Sequence, residues 1–495
     1  MTFSNKNKNV LIALVVLLKV FILIYFIFQS SYTDSFINNV ISNDYSELLG
    51  PVDNLVKTGT YEYIENSNIP YSDRMPGYMF PYVIFRYIFS QEISVLLLIS
   101  FQIIFSIIAS LCLFKLIYLM TEKTYLSFFV FIIFSLFSFI IPWELWTYPE
   151  SLSVSCYIVG LLFTYLSIGG NRINLIYGGL FFAWMFFLRG FLGGYFLLPI
   201  LFIVLLSNSI KNSFYKVLIF MTPLILFQVF WVSRNYYSKG EVIFLQTKFV
   251  YDHNLNLNDE YPFNSSFKPS ILELRKLISL WGGNNVKYYT NSEMGYFFNE
   301  KTASIDTSFP NWIFKKEFNK DRLVHLKELV QNSYLSEQGK LNRIDAEKKL
   351  INYVAESQNI FNEIHGNKIL ISSLSRLKNL LVNNIVANWP GKSFSENSIL
   401  VKVYKISVVF IFYLMILFSI ASFFVKNNFT TKDKFFRICL LLSFLYLLFV
   451  FSTVINIAEF KYTATLFVSC TILSAPILDS IFMKLSLYTK FFFRT

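Results

Sequence analysis

Long apolar runs are the feature that most limits what this chain can fold into. Ten runs occur along its 495 residues, each near the roughly 20 residues that a helix needs to cross a bilayer. They lie near 10–28, 93–118, 125–143, 150–168, 174–188, 190–207, 215–233, 400–425, 436–455 and 463–483. Charged residues make up only 15% of the chain, against about 25% in soluble globular proteins. The sequence therefore predicts an all-α polytopic membrane protein and excludes a soluble protein, a disordered chain and a disulfide-stapled mini-protein.

The distribution of basic residues predicts the orientation of these helices. The net charge is +12, and alternate short loops and the C-terminal tail are net basic, as expected of cytoplasmic segments. These residues are Lys115, Lys123, Arg172, Lys211, Lys216, Lys426, Lys432, Lys434, Arg437, Lys484, Lys490 and Arg494. We therefore expect both termini inside and the polar stretches 29–92 and 245–399 outside. This account of the charge makes a nucleic-acid partner unnecessary.

The pattern divides the chain into three parts. Residues 1–244 form an N-terminal transmembrane catalytic module that includes the outer loop 29–92, and 400–495 form the C-terminal transmembrane helices. The extracytoplasmic region 245–399 has mixed charges and apolar residues at helical spacing, so we expect it to be mainly helical. No internal repeat or low-complexity tract occurs.

Motifs of soluble enzymes are absent from the sequence. Phosphate-binding loops, dinucleotide fingerprints, HExxH and GxSxG do not occur. The three histidines, His253, His325 and His365, have unrelated spacings that do not suggest a zinc site. The four cysteines lie in or beside apolar runs and form no CxxC pair, so we expect small buried residues.

Ionisable and polar residues collect at the predicted outer ends of the helices. They are Asp44, Arg74, Glu144, Glu150, Arg189, Arg234 with Asn235, and Glu459 and Lys461 with Tyr462. Taken singly, such arginines often extend to the interface without binding anything. Together, however, they provide a carboxylate that could accept a proton from an attacking hydroxyl and cations that could stabilise a departing phosphate. Asp44 has a second interpretation as a helix N-cap, because an acid follows three residues later.

At these residues the sequence resembles the GT-C glycosyltransferases. Asp44 is followed by Val52, Leu55 and Gly59-x-Tyr61 and then by Arg74-Met-Pro-Gly-Tyr78, as in the first outer loop of family 39. That family includes bacterial relatives of protein O-mannosyltransferases and lipid A aminoarabinose transferases. Further motifs follow in order: PESL resembles TESL, FLRGF resembles LTRP, WVSRNYYSKGE resembles PWxxRNxxxxGE, and EFKYTA resembles xxRYxxP. The resemblance spans most of the membrane part but not 245–399.

Four positions depart from the family pattern. Leu48 stands where Tyr is usual, Met79 where a second Pro is usual, Gly190 where Pro often follows Arg, and Lys461 where Arg is common. Lysine keeps the positive charge but lacks the bidentate guanidinium geometry. These differences bear on the donor contacts more than on the fold.

The resemblance implies a GT-C-like bundle of about ten transmembrane helices that uses a polyprenyl-phosphate-linked sugar. The enzyme would transfer the sugar to a hydroxyl of a lipid, glycan or protein acceptor at the outer face of a bacterial inner membrane. Asp44 would be the general base, and Arg74, Arg189, Arg234 and Lys461 would bind the donor phosphate. Supporting residues would be Tyr78, Glu150, Asn235 and Tyr462.

The resemblance implies no cofactor. Relatives that use mannosyl donors need no metal ion, whereas those that transfer oligosaccharides do, and Asp44 or Glu150 would then be ligands. We favour the metal-free alternative.

Three other functions remain open at the level of sequence. An O-antigen polymerase or ligase also has many helices and a large outer loop, but would be expected to use Arg and His there. A polysaccharide transporter or flippase should show repeats and interrupted helices. The third alternative is a scaffold whose charges are interfacial only.

Overall fold

The computed structural model describes the chain as an all-α protein, which confirms the predicted fold class. It describes residues 5–30, 40–42, 45–62, 70–72, 74–138, 140–168, 171–240, 242–245, 269–283, 293–298, 305–337, 343–366, 369–378, 381, 397–425, 430–450 and 463–492. Within these ranges the only extended pairings are two isolated bridges, Glu62 with Pro70 and Lys315 with Phe318. The chain forms two compact units, one of 1–247, 386–446 and 461–495, the other of 248–385 and 447–460.

The first unit contains the apolar helices. In chain order they are α1 (Asn5–Ser30), the short α2 (Tyr45–Leu48) and α3 (Gly50–Thr58), α4 (Met79–Ile88), α5 (Gln91–Thr121), α6 (Thr124–Phe137), α7 (Glu150–Ser167), α8 (Arg172–Leu188), α9 (Leu197–Leu205) and α10 (Ile210–Lys239). After the second unit come α17 (Ile399–Ala421), α18 (Thr431–Phe449) and α19 (Ala464–Phe492). In the described part of the chain, six helices are long and apolar enough to span a membrane, and four apolar segments are shorter. The chain is thus polytopic.

Two predicted apolar runs are interrupted, one by a segment that contains Glu144 and the other directly after Arg189. The run 125–143 is helical only to Phe137, and a 3₁₀ helix, Ile141–Leu145, follows. Pro142 has no amide hydrogen to continue an α-helical ladder. The run 190–207 begins with a 3₁₀ helix, Gly190–Phe196, before α9. Hydropathy does not register either change, because both segments are apolar.

An ion pair and a hydrogen bond mark one end of the helices in the first unit. Lys123, at the start of α6, pairs with Asp479 of α19 at 2.5 Å. Tyr165, near the end of α7, donates to Asp433 of α18 at 2.6 Å. The basic segments around Lys123 and Asp433 thus lie at one end of these helices, and the 3₁₀ helix Ile141–Leu145 precedes the opposite end of α7. Which membrane side each end faces stays a prediction.

Close glycine contacts pack the central helices. A Cβ at Gly179 of α8 would lie 1.9 Å from the main-chain oxygen of Phe220 in α10, so only glycine permits this approach. A buried hydroxyl network joins three further helices, since Tyr157 lies 2.9 Å from Ser469 Oγ and donates to Ser443 Oγ at 3.2 Å. The glycine contact thus holds α8 against α10, and the hydroxyl network holds α7 against α18 and α19.

The second unit is a small helical unit with its own core. Its helices are α11 (Pro269–Ser279), α12 (Glu293–Phe298), α13 (Ile305–Ser308), α14 (Lys320–Glu337), α15 (Arg343–His365) and α16 (Ile369–Lys378). Trp281, Phe309, Phe318 and Phe361 are among the residues of that core. His365 is buried against the carbonyl of Ile313 at 2.9 Å, and His253 lies outside the described residues.

Candidate functional site

The Arg74 loop packs against the end of α8. The amide of Gly77 donates to the carbonyl of Phe187 at 3.2 Å, and Trp184 Nε1 donates to the carbonyl of Gly77 at 2.9 Å. A Cβ at Gly77 would lie 2.4 Å from the carbonyl carbon of Phe187. Glycine is therefore required here, and the loop is held next to Arg189, which directly follows α8.

Arg189 forms an ion pair with Glu150 at the start of α7. The side chains are 11% and 4% exposed, so both charges have left bulk water. The second carboxylate oxygen of Glu150 is buried and has no hydrogen-bond partner among the described residues. The structure thus brings together two residues predicted from separate motifs.

Arg74 pairs with Glu47 of α2. Its Nη2 and Nε donate to Glu47 Oε2 at 2.6 and 3.0 Å. Tyr71 OH donates to the carbonyl of Glu47 at 2.7 Å, which adds a second tie between α2 and the loop. The motif that contains Arg74 predicted a phosphate ligand and gave no sign of this carboxylate partner.

Asp53 of α3 collects several donors. Arg86 Nε and Tyr82 OH donate to Oδ1 at 2.7 and 3.0 Å. Tyr45 OH and Gln91 Nε2 donate to Oδ2 at 2.7 and 3.2 Å. A carboxylate whose two oxygens are both engaged is a poor general base, so Asp53 fixes the fold of the outer loop.

Arg234 has only neutral partners among the described residues. Its Nη1 donates to the carbonyl of Tyr71 at 2.6 Å and to Asn235 Oδ1 at 2.8 Å. The guanidinium lies over the rings of Tyr61 and Trp231, 5.0 and 5.6 Å from their centroids. No carboxylate in the described part of the chain neutralises this half-buried cation, so it is suited to bind an anion.

Tyr78 and Asn235, predicted as supporting residues, each hold a loop. Tyr78 OH donates to Gln102 Oε1 at 2.9 Å, and Asn235 Nδ2 donates to the carbonyl of Ile243 at 3.3 Å. Burial raises the pKa of Tyr78 well above its usual range, and the nearby charge of Glu150 adds to this effect. Tyr78 therefore stays a neutral hydrogen-bond donor.

A buried ion pair in the same unit was missed in the sequence. Lys19 of α1 donates to Glu144 Oε1 at 2.9 Å and to Ser106 Oγ at 2.7 Å, and Ser106 donates to Glu144 at 2.6 Å. Removing one partner of a buried pair destabilises a protein by about 3–5 kcal/mol. A lysine in the middle of an apolar run was the signal that could have identified it.

Three predicted site residues, Asp44, Lys461 and Tyr462, lie outside the described residues. The chain just before Asp44 is described. The amide of Ser42 donates to Thr147 Oγ1 at 2.8 Å, and the amide of Thr147 donates to the carbonyl of Val40 at 3.0 Å. Thr147 stands three residues before Glu150.

No group of three or more His, Cys, Asp or Glu side chains able to hold a metal ion occurs among the described residues. Around the Arg74 loop of the first unit, Arg74, Arg86 and Arg189 each pair with a carboxylate, whereas Arg234 has neutral partners. Such an arrangement can bind an oxyanion through Arg234 and orient it through the paired groups.

Comparison with known proteins identifies a similar solved structure but no matching family. No protein-family model matches the chain, and no curated protein matches it. Among solved structures the chain is similar to the archaeal oligosaccharyltransferase AglB from Archaeoglobus fulgidus, solved in complex with an inhibitory peptide and a dolichol-phosphate. The TM-score is 0.48 and the identity 13%, and the match covers 97% of this chain and 51% of that chain. This chain thus spans about half the length of the archaeal protein.

Proposed function

We propose that this protein is an integral membrane glycosyltransferase that uses a polyprenyl-phosphate-linked sugar. The observation that carries the proposal is the convergence of three segments in one unit. The loop containing Arg74 contacts both the end of α8, next to Arg189, and the side chain of Arg234. Arg234, whose described partners are neutral, thus contacts the loop that carries Arg74, and that same loop packs on the helix end that precedes Arg189. The order of sequence motifs that resemble family 39 supports the same assignment.

In the proposed reaction Arg234 binds the donor phosphate, with Arg74, Arg189 and Lys461 around it. The acceptor hydroxyl oxygen forms a bond to the anomeric carbon while the bond from that carbon to the phosphate oxygen breaks. The acceptor proton passes to a carboxylate, and the charge left on the polyprenyl phosphate is stabilised by the cations. Pairing with Glu47 and Glu150 holds two arginines in fixed orientations, so little reorganisation accompanies the reaction.

Asp44 is the proposed general base. Ser42 is tied to Thr147, and Tyr45 is tied to Asp53, so both described neighbours of this residue are anchored. Asp53 is saturated with donors, which leaves it unsuited to the role. The unpartnered oxygen of Glu150 could accept a hydrogen bond from a hydroxyl of the sugar.

The proposal extends to the membrane side, the lipid tail and the acceptor. The site faces the outside of a bacterial inner membrane, the polyprenyl tail lies among the helices, and residues 245–399 select the lipid, glycan or protein acceptor. The reaction needs no metal ion. Supporting roles fall to Tyr78, Asn235 and Tyr462.

The test combines genetics with reconstitution. Mass spectrometry of surface glycans and glycolipids from a deletion strain should reveal one missing sugar. Purified protein in liposomes should then transfer that sugar from a synthetic polyprenyl-phosphate donor to the unmodified acceptor. Accumulation of complete but unpolymerised glycan would instead indicate a polymerase or ligase, and accumulation of unflipped lipid-linked glycan would indicate a transporter.

A further inference from the structure

The Lys19–Glu144 pair takes no part in the chemistry proposed above, yet it is one of the most buried ionic contacts in the first unit. The two side chains are 1% and 2% exposed. Lys19 stands in the middle of a candidate membrane span, Lys8–Gln29. Ionisable residues in such positions are rare and usually functional. The burial of this pair at such a position indicates that it has a functional role.

The pair anchors the loop that leads to Glu150. Glu144 belongs to the 3₁₀ helix Ile141–Leu145, and α7 starts at Glu150, five residues after that helix ends. Gln102 of α5 donates to the carbonyls of Glu144 and Trp146 at 3.3 and 3.1 Å. The same Gln102 accepts from Tyr78, next to Gly77 of the Arg74 loop. The loop and the Arg74 segment thus share one hydrogen-bonded support.

The start of α7 lacks a cap of its own. Its N-cap residue, Pro149, makes no side-chain capping hydrogen bond. The first amides of a helix have no hydrogen-bond partner within the helix itself. The ties at Glu144, Trp146 and Thr147 therefore add to the packing of α7 in holding the chain that leads into Glu150.

We propose that Lys19, Glu144 and Ser106 form a positioning triad that holds the loop 141–149 so that Glu150 meets Arg189. The proposal rests on the proposed function, because Glu150 and Arg189 are placed there at the donor phosphate. The three residues touch neither donor nor acceptor and act through the loop.

A double variant that replaces both charges by neutral groups separates a positioning role of the Lys19–Glu144 pair from a stabilising one. Replacing both members of a buried ion pair by neutral groups of similar size often restores stability, whereas removing one does not. We therefore compare Lys19→Met and Glu144→Gln with the double variant. A matched control is Lys123→Met, which breaks the Lys123–Asp479 pair at the other end of the helices.

The full-length protein in nanodiscs is studied by hydrogen exchange with mass spectrometry and by thermal unfolding. The double variant should recover most of the melting temperature lost in the single variants. Amides of 141–149 should nevertheless exchange about tenfold faster than in the parent, the factor expected when a charge-assisted hydrogen bond is lost. In the transfer assay kcat should fall by a similar factor with KM within about twofold, as expected when a group is displaced and not removed. In the control Lys123→Met, the exchange rate of 141–149 and kcat should both stay at the parental level.

Parental exchange of 141–149 in the double variant would overturn the proposal and leave the pair a purely stabilising role. Faster exchange with parental transfer would overturn the link to the site. If the parent protein transfers no sugar, the proposed function fails, and the exchange measurement still decides whether the triad positions the loop.

Discussion

Gly77 offers a direct test of how the site is assembled. In Gly77→Ala the new Cβ would lie 2.4 Å from the carbonyl carbon and 2.5 Å from the carbonyl oxygen of Phe187. These are main-chain atoms of α8 and cannot rotate away, so the loop must move. Overpacking of this kind destabilises by about 1–3 kcal/mol, and the two hydrogen bonds made by Gly77 contribute about 0.5–1.5 kcal/mol each. We expect a total loss of about 2–6 kcal/mol.

The matched control is Gly190→Ala in the same group of loops. Its Cβ would meet only the sulfur of Met75, at 3.4 Å, which is an ordinary contact with a flexible side chain. The free energy of unfolding is measured for both variants in one detergent, with donor binding measured in parallel. Equal stability of the two variants within about 0.5 kcal/mol, the range of a surface substitution, would refute the packing of the Arg74 loop on α8.

Other predictions address the charges and the topology. Arg189→Met should lower the free energy of unfolding by about 3–5 kcal/mol because Glu150 stays buried without its partner, and adding Glu150→Gln should recover most of that loss in thermal unfolding. Asp44→Asn should be inserted normally and melt like the parent, because Asn caps a helix as well as Asp, but its rate of sugar transfer should fall by about 10²–10⁴-fold. A near-parental transfer rate would exclude Asp44 as the general base. Lys349→Cys, at an exposed position, should react with an impermeant maleimide on intact spheroplasts, and labelling only after lysis would contradict the outward orientation of 245–399.

The fold class was predictable because hydropathy acts over long segments. A helix such as α5 or α10 buries its backbone polar groups in its own hydrogen bonds, so its existence follows from run length and composition. The breaks at Ile141–Leu145 and Gly190–Phe196 were not predictable in this way. The first depends on Pro142, which hydropathy does not distinguish from other apolar residues. The second depends on contacts from a distant helix, since the hydroxyl of Tyr446 donates to the carbonyl of Phe191 at 2.9 Å.

The candidate site was predictable as a set of charges but not as a set of partners. Motif order indicated Arg74, Arg189 and Arg234, and the structure brings their segments together. Arg189 and its partner Glu150 are 39 residues apart in the sequence, and the supporting pair of Lys19 and Glu144 is 125 residues apart. Pairing over such distances depends on how helices pack, and no local pattern encodes it.

The central claim is that Arg234 supplies the charge that binds the donor phosphate. Initial rates of sugar transfer in proteoliposomes, measured against the concentration of the polyprenyl-phosphate donor, test it most directly. Arg172 is a matched control, because it also lies over a tyrosine ring, 5.1 Å from the centroid of Tyr215. It stands at the start of α8, which is the end of that helix opposite to Arg189. Arg234→Gln should lower kcat/KM for the donor by about 10- to 100-fold, the loss expected for a hydrogen bond to a charged group. Arg234→Lys should recover part of that loss, and Arg172→Gln should stay within about twofold of the parent, a difference well under one hydrogen bond. Parental kinetics for Arg234→Gln, or an equal loss for Arg172→Gln, would contradict the account.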